Sequence, residues 1–158
     1  MKKDIYLCYK DLEYLEKVCL PAWSKLNDKY CLHLYDNKMC EEFINAEFGS
    51  LHRDVFNFIP SGPIKADFWR LCILYKKGGF YSDGDVEPLV SIDDFFDDKA
   101  DFITCVARWP KVKRFFNPVF IGAKEGCSFL NESIEWYTSK YHAVNDTHKD
   151  RNKYEKKI

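Results

Sequence analysis

The sequence predicts an α/β fold in which a mostly parallel central sheet is flanked by helices. Short apolar strands alternate with longer helical patterns along the chain, the order typical of α/β layers. Of the 158 residues, 46% are hydrophobic and 17% are aromatic, so the chain can bury a sizeable core. No repeat or linker interrupts this order. We therefore expect a single domain over residues 1–158, with a polar, frayed tail over 143–158.

Apolar periodicity and turn residues predict the individual elements. Strands are predicted over residues 4–9, 30–35, 80–82, 102–106 and 115–121. Helices are predicted from Asp11 to a break or kink at Pro21, from Asp36 or Asn37 to about Phe48, from Pro63 to Lys77, over 91–96, and from Cys127 to Tyr141. Residues 50–62 show no clear pattern, and residues 110–114 are predicted to form a basic connecting loop.

The helix that begins at Pro63 carries charge on an otherwise apolar surface. Pro63 suits the first turn of a helix, and Gly78-Gly79 suits a left-handed stop. Asp67 and Arg70 are three residues apart, so their side chains can pair on the helix surface. A buried ion without a partner costs on the order of several kcal/mol. The pair is therefore either structural, or part of a cavity that holds a hydroxyl-rich ligand.

Two further carboxylates follow the next predicted strand. Residues two apart in an extended segment point to the same side, so Asp83 and Asp85 can face one point. Gly84 between them has no side chain, which would let a ligand approach the backbone closely. Two carboxylates at a strand end suit Mg²⁺ or Mn²⁺, with phosphate oxygens and water as the other ligands. Taken alone, an Asp-x-Asp pattern favours a solvated acidic turn over a metal site.

Net charge and hydropathy exclude several classes of function. The formal net charge is −1, whereas proteins that bind nucleic acid or anionic membranes are usually distinctly basic. No apolar run is long enough to span a bilayer, and charge follows Lys2-Lys3 where a signal peptide would be apolar. Neither a G-x-G-x-x-G fingerprint nor a P-loop occurs. A cytoplasmic location is expected, in the host cytoplasm if the protein is viral.

Cysteine and histidine spacing indicates neither a disulfide framework nor a zinc site. The seven cysteines are odd in number, scattered, and free of any C-x-x-C pair. This pattern favours free thiols in a reducing compartment. The four histidines form no H-E-x-x-H or similar array. The carboxylates of Asp83 and Asp85 are therefore the candidate metal ligands.

The spacing of polar and glycine residues in the central stretch resembles that of a known family. The core pattern is Ala66-Asp67-x-x-Arg70, followed by Leu74-Tyr75-x-x-Gly78-Gly79-x-Tyr81-x-Asp83-x-Asp85-Val86. It is similar to the glycosyltransferases with a DxD-containing sugar-binding region, which include fungal α-1,6-mannosyltransferases, α-1,4-glycosyltransferases and bacterial capsular enzymes. Softer similarity over 23–36 and 117–126 extends the resemblance from residue 5 to about residue 140.

The resemblance implies a GT-A fold, the Rossmann-like fold of nucleotide-diphospho-sugar transferases, in a compact or truncated version. It implies a UDP-sugar or GDP-sugar donor and Mn²⁺ or Mg²⁺ on the diphosphate. Asp85 would bind the metal directly, and Asp83 would bridge the donor ribose and the metal shell. Asp67 and Arg70 would hold hydroxyls of the transferred sugar, with Tyr81 nearby.

On the same resemblance, Tyr9 would stack on the nucleotide base and Asn117 would line the sugar or acceptor side. Three positions depart from the family pattern: Ala66, Asp28 and Tyr35 stand where serine, proline and tryptophan are usual. The implied reaction is retaining transfer of a hexose to a hydroxyl of a glycan or other acceptor. Two alternatives are a non-catalytic sugar-nucleotide- or carbohydrate-binding remnant of such an enzyme, and a nucleotidyl- or phosphotransferase.

Overall fold

The computed structural model of the protein describes residues 1–97, 99–109 and 112–145. The strands are β1 (Asp4–Cys8), β2 (Cys31–Tyr35), β3 (Gly79–Asp83), β4 (Phe102–Trp109) and β5 (Val112–Ala123). The helices are α1 (Leu12–Tyr14), α2 (Leu20–Leu26), α3 (Asn37–Phe48), α4 (Ser50–Phe58), α5 (Gly62–Lys77) and α6 (Ser128–Asn145). A π-helical turn (Leu15–Cys19) joins α1 to α2, and a 3₁₀ turn (Ile92–Asp94) follows β3.

The described strands form a mixed sheet in the order β2-β1-β3-β5-β4. β1 pairs in parallel with β2 and with β3, whereas β5 pairs antiparallel with both β3 and β4. The predicted mostly parallel sheet is therefore wrong for the β4–β5 half. Parallel neighbours need a crossover of a dozen or more residues, and only residues 110–111 separate β4 from β5.

Capping residues begin the helices where the sequence predicts. The side chains of Asp11 and Asp36 accept hydrogen bonds from the backbone N–H groups of Tyr14 (3.1 Å) and Met39 (2.8 Å). Pro21, in contrast, does not end the first helical segment, which continues to the end of α2. The π-helical turn before Pro21 shifts the hydrogen-bond pattern by one residue, and the helix continues past a residue that lacks an N–H.

Residues 50–62, which lack a clear sequence pattern, contain α4 and the start of α5. Gly49, at φ 85°, ends α3, and α4 begins at the next residue. α4 buries Val55 and Phe56 against the core. α4 is therefore a helix that the sequence pattern did not predict, and it follows α3 after a single residue.

β5 begins earlier than predicted, and α6 ends later than predicted. Residues 112–114, predicted as part of a basic loop, begin β5, and Pro110 and Lys111 lie outside the described residues. α6 continues through 143–145 with Val144 buried, so the predicted tail does not begin at 143. Residues 146–158 lie outside the described residues, and a single domain over the whole chain stays a prediction.

Side chains on alternate residues of the sheet build a core on each of its faces. On β1, Tyr6 and Cys8 pack with α3, α4, α5 and α6, whereas Ile5 and Leu7 pack with the segment that runs from α1 to Tyr30. α5 is the most buried helix of the first core, through Phe68, Trp69, Cys72, Ile73 and Leu74. In the described part of the chain, no helix is both long and apolar enough to cross a membrane.

Candidate active site

A cavity of about 490 Å³ lies where the parallel strands end. Cys8, the last residue of β1, pairs in register with both Tyr35 of β2 and Asp83 of β3, so the three carboxyl ends meet at one edge of the sheet. Ligands of α/β folds bind at this edge. The N-terminal half of α5 and part of β5 complete the wall. The lining residues are Cys8, Tyr9, Lys10, Asn37, Gly62, Pro63, Ala66, Asp67, Arg70, Asp83, Asp85, Pro118 and Val119.

Arg70 is the buried centre of the polar wall, with 3% of its surface exposed. Its Nη2 atom lies 2.9 Å from Oδ1 of Asp67 and 3.1 Å from Oδ1 of Asp83. The pairing of Asp67 with Arg70 that their spacing predicts is therefore present. The structure also shows a second partner, Asp83, which the spacing does not reveal. Through it the same guanidinium links α5 to the end of β3.

The other guanidinium nitrogens of Arg70 are also engaged within the protein. Nε donates to the carbonyl oxygen of Ala66 at 3.2 Å, and Nη1 donates to the carbonyl oxygen of Pro118. The guanidinium carbon lies 4.5 Å from the centre of the Tyr81 ring, within the range of a cation–π contact. Arg70 thus holds together the three segments that form the wall.

Asp83 receives two contacts at a single oxygen. The Tyr81 hydroxyl donates a hydrogen bond to Oδ1, the atom that also faces Arg70. Burial raises the pKa of Asp83 and Asp85 raises it further, whereas Arg70 and the Tyr81 hydroxyl lower it. Burial also raises the pKa of Asp67, against the lowering effect of Arg70. One guanidinium therefore compensates only part of the negative charge in this wall.

Gly84 faces protein and is buried, contrary to the expectation that it leaves the backbone open to a ligand. A Cβ atom at this position would lie 2.7 Å from Cβ of Tyr9 and 2.7 Å from Cδ2 of Leu15. The backbone N–H of Gly84 donates to the carbonyl oxygen of Cys8 at 3.0 Å. The glycine thus lets the turn after β3 pack against the end of β1, which sets where Asp85 emerges.

The carboxylates at this edge suit a divalent cation that binds together with a diphosphate. Asp85 is exposed, and no hydrogen bond or ion pair joins its carboxylate to another described residue. Charged lining residues are Asp67, Asp83 and Asp85 against Lys10 and Arg70, so an anionic ligand needs a counter-cation. Among the residues described, no three His, Cys, Asp or Glu side chains are grouped to hold a metal alone. Mg²⁺ sites commonly use one or two carboxylates and take the remaining ligands from phosphates and water.

Of the other predicted site residues, Tyr9 lines the cavity, whereas Tyr81 and Asn117 lie behind its wall. Tyr9 lines the cavity, and its ring centre lies 5.2 Å from that of Tyr14. Tyr81 is fully buried against Arg70 and does not line the cavity. Asn117 does not line the cavity either, because its Oδ1 atom accepts a hydrogen bond from the backbone N–H of Val119 at 3.2 Å.

Eight lining residues were not predicted as site residues from the sequence: Cys8, Lys10, Asn37, Gly62, Pro63, Ala66, Pro118 and Val119. Lys10 and Asn37 each follow a parallel strand by two residues, so the rule that ligands bind at strand ends points to them in retrospect. Pro118 and Val119 come from β5, which lies antiparallel to its neighbours. No local signal in the sequence places these two residues beside Asp67.

Comparison with known proteins gives the family of the chain. A family model described as "Glycosyltransferase sugar-binding region containing DXD motif" matches residues 15–103, more than half of the chain, including α5 and the stretch 83–85. Over 76 residues, 47% of this chain, the sequence is 28% identical to an initiation-specific alpha-1,6-mannosyltransferase of Candida albicans. The matched part is 20% of that protein, so the chain spans about a fifth of this relative. The chain belongs to the glycosyltransferase family that shares the DXD-containing sugar-binding region.

Proposed function

We propose that the protein is a metal-dependent, retaining glycosyltransferase of the GT-A type. It would move a hexose from a nucleotide-diphosphate sugar, with UDP or GDP as the nucleotide, to a hydroxyl of a glycan or other acceptor. The observation that carries the proposal is that Asp67, Arg70, Asp83 and Asp85, from two elements, meet at one cavity at the carboxyl ends of parallel strands. The Candida relative is a mannosyltransferase by name, which supports a hexose as the transferred group. A cytoplasmic location remains a prediction.

The nucleotide-diphosphate part of the donor is assigned to the ends of β1 and β3. Asp85 and Asp83 would hold Mn²⁺ or Mg²⁺, and Tyr9, which lines the cavity, would stack on the base. The chemistry that the cation supplies when bound is stabilisation of the negative charge that develops on the departing diphosphate. Lys10, which lines the same side of the cavity, adds a positive charge for the phosphates.

The transferred sugar is assigned to the wall formed by α5. The Asp67 side chain is 37% exposed although it pairs with Arg70, so a sugar hydroxyl can reach it. Arg70, whose nitrogens already have protein partners, would act mainly by positioning Asp67 and Asp83. An acceptor hydroxyl would bond to the anomeric carbon on the face that the diphosphate leaves, and its proton would pass to that diphosphate. Asp67 and Asp83 are both paired with Arg70, and Asp85 is assigned to the metal, so none of the three is a strong nucleophile. This favours the front-face route over a covalent intermediate.

The first experiment measures nucleoside diphosphate released from UDP-glucose, UDP-galactose and GDP-mannose by the purified full chain, with and without Mn²⁺. We expect Mn²⁺-dependent hydrolysis of at least one donor, and an Asp85→Asn variant slower by at least about 10²-fold, the usual effect of losing one group that stabilises developing charge. Asp54→Asn is the matched control, because Asp54 pairs with Arg53 on α4, outside the cavity. That variant should match the wild type.

Two results would contradict the proposal in different ways. Near wild-type hydrolysis by Asp85→Asn at saturating Mn²⁺ would show that Asp85 is not a metal ligand. Binding of a sugar nucleotide without any hydrolysis or transfer would instead favour the non-catalytic remnant. Thermal shift with the same three donors separates these cases, since a ligand that binds only the folded state raises the unfolding temperature.

A further inference from the structure

The cavity wall formed by β5 is a bulge in the β4–β5 pair. Thr104 of β4 pairs with Ile121, and the next residue, Cys105, pairs with Asn117. Residues 118–120 of β5 therefore have no counterpart on β4. Pro118 and Val119, two of these extra residues, line the candidate donor cavity.

One side chain of β4 joins the two ends of this bulge. The Thr104 hydroxyl oxygen lies 3.1 Å from the carbonyl oxygen of Asn117 and 3.2 Å from that of Phe120. These carbonyls flank residues 118–119, and a single hydroxyl hydrogen can be shared between them. Within the bulge, Oδ1 of Asn117 accepts a hydrogen bond from the backbone N–H of Val119.

The same bulge is tied to the polar wall of the cavity. Arg70, which pairs with Asp67 and Asp83, donates to the carbonyl oxygen of Pro118. Arg70 therefore contacts the bulge, Asp67 of α5 and Asp83 of β3 at the same time. A shift of residues 118–119 changes the space beside Asp67 directly.

We propose that the Thr104 hydroxyl is a positioning group for the sugar side of the donor cavity, because it holds the β5 bulge in the shape that places Pro118 and Val119 beside Asp67. This inference rests on the proposed function for its substrate. Thr104 does not itself line the cavity, and its hydroxyl donates to the two carbonyls that flank the lining residues. The bulge also meets the end of β3, through Arg70 and through the pairing of Phe120 with Ser82, but of its three residues Pro118 and Val119 line the cavity and Phe120 is buried in the core.

The test compares Thr104→Val, which keeps the shape and removes the hydroxyl, with Thr104→Ser, which keeps the hydroxyl. Thr138→Val is the matched control, because the Thr138 hydroxyl also donates to a backbone carbonyl (Ile134, 3.1 Å) but on α6, away from the cavity. If Thr104→Val fails to fold, Thr104→Ala replaces it in every comparison.

The first readout needs no ligand. Amide hydrogen exchange of Val119 and Phe120 should accelerate about two- to tenfold in Thr104→Val, the factor that the net free energy of one hydrogen bond gives. Thr104→Ser and Thr138→Val should exchange as the wild type does. Equal exchange in Thr104→Val and wild type would overturn the inference.

The second readout separates the sugar from the nucleotide. With Mn²⁺, Thr104→Val should bind UDP-glucose or GDP-mannose about two- to tenfold more weakly and bind UDP or GDP unchanged. An equal loss for sugar nucleotide and free nucleotide would mean general damage and would overturn the sugar-side role. If the wild type binds none of these probes, the proposed function fails, and with it the sugar-side role; the exchange experiment then still decides whether Thr104 holds the bulge.

Discussion

Replacing Arg70 by methionine tests how the candidate site is held together. Methionine keeps an unbranched apolar stem and removes the charge with all five N–H donors. Asp67 and Asp83 then lose their shared counter-charge, and the carbonyls of Ala66 and Pro118 lose a donor. No other described cation lies within ion-pair distance of either carboxylate.

The expected size of the effect follows from burial. Removing one partner of a buried ion pair costs about 3–5 kcal/mol. The Asp67 and Asp83 side chains are 37% and 24% exposed, so water replaces part of what they lose. We therefore expect Arg70→Met to lower the free energy of unfolding by about 2–4 kcal/mol, a large share of the roughly 5–15 kcal/mol typical of a domain.

The loss should depend on pH with a definite sign. Arg70 lowers the pKa of Asp67 and of Asp83, against burial, which raises both. Without Arg70, both pKa values rise further above their ordinary value of 3.8. A carboxyl with a raised pKa in the folded state contributes stability that is present below the unfolded pKa and is lost as the pH rises through the folded pKa. The loss in Arg70→Met should therefore be smaller at about pH 4.5 than at about pH 7.

Urea unfolding followed by tryptophan fluorescence at both pH values measures the effect. Arg53→Met is the control, because Arg53 pairs with Asp54 at 2.8 Å on the surface, where an ion pair contributes less than about 1 kcal/mol. A double variant with Arg70→Met and Asp83→Asn should lose at least about 1 kcal/mol less than the two single losses added together. If Arg70→Met were no more destabilised than Arg53→Met at either pH, the ion-pair network would not be what holds the wall.

Two glycine substitutions test the packing around the site. Gly84→Ala should lower the free energy of unfolding by about 1–3 kcal/mol, because its Cβ would meet Cβ of Tyr9 at 2.7 Å, and an unchanged thermal midpoint would contradict this close approach. Gly79→Ala should cost at least about 1 kcal/mol more than Gly49→Ala in urea titrations. Both residues have a positive φ (97° and 85°), but only Gly79 would place a Cβ against backbone, 2.7 Å from the carbonyl oxygen of Asp4, and equal losses would refute the distinction.

Predictions from the sequence succeeded where the determining residues are close together in the chain. Asp36 caps a helix through an N–H three residues on, and Asp67 pairs with Arg70 within one helical turn. The strand after Gly78-Gly79 contains the predicted residues 80–82 and extends to Asp83. The family resemblance also depends on this continuous stretch, because its motif spans one helix, one turn and one strand.

Contacts between distant residues decided the rest. The direction of β5 depends on pairing with β3, about forty residues earlier, and periodicity alone does not distinguish parallel from antiparallel neighbours. Asn117 was predicted to line the sugar side, but its side chain holds the backbone of a bulge whose existence depends on the β4 register. Likewise, the need for glycine at position 84 comes from Tyr9, on another strand end.

The sequence by itself therefore determined most of the helices and strands, the family and the acidic residues of the candidate site. The tertiary structure decided which of those residues face the cavity and what holds them there. Arg70 illustrates the division: its spacing from Asp67 is encoded in one helical turn, whereas its contacts with Asp83 and Pro118 exist only once β3 and β5 lie beside α5. Local propensity acts over a few residues, but the charge balance of a buried site depends on every segment that folds around it.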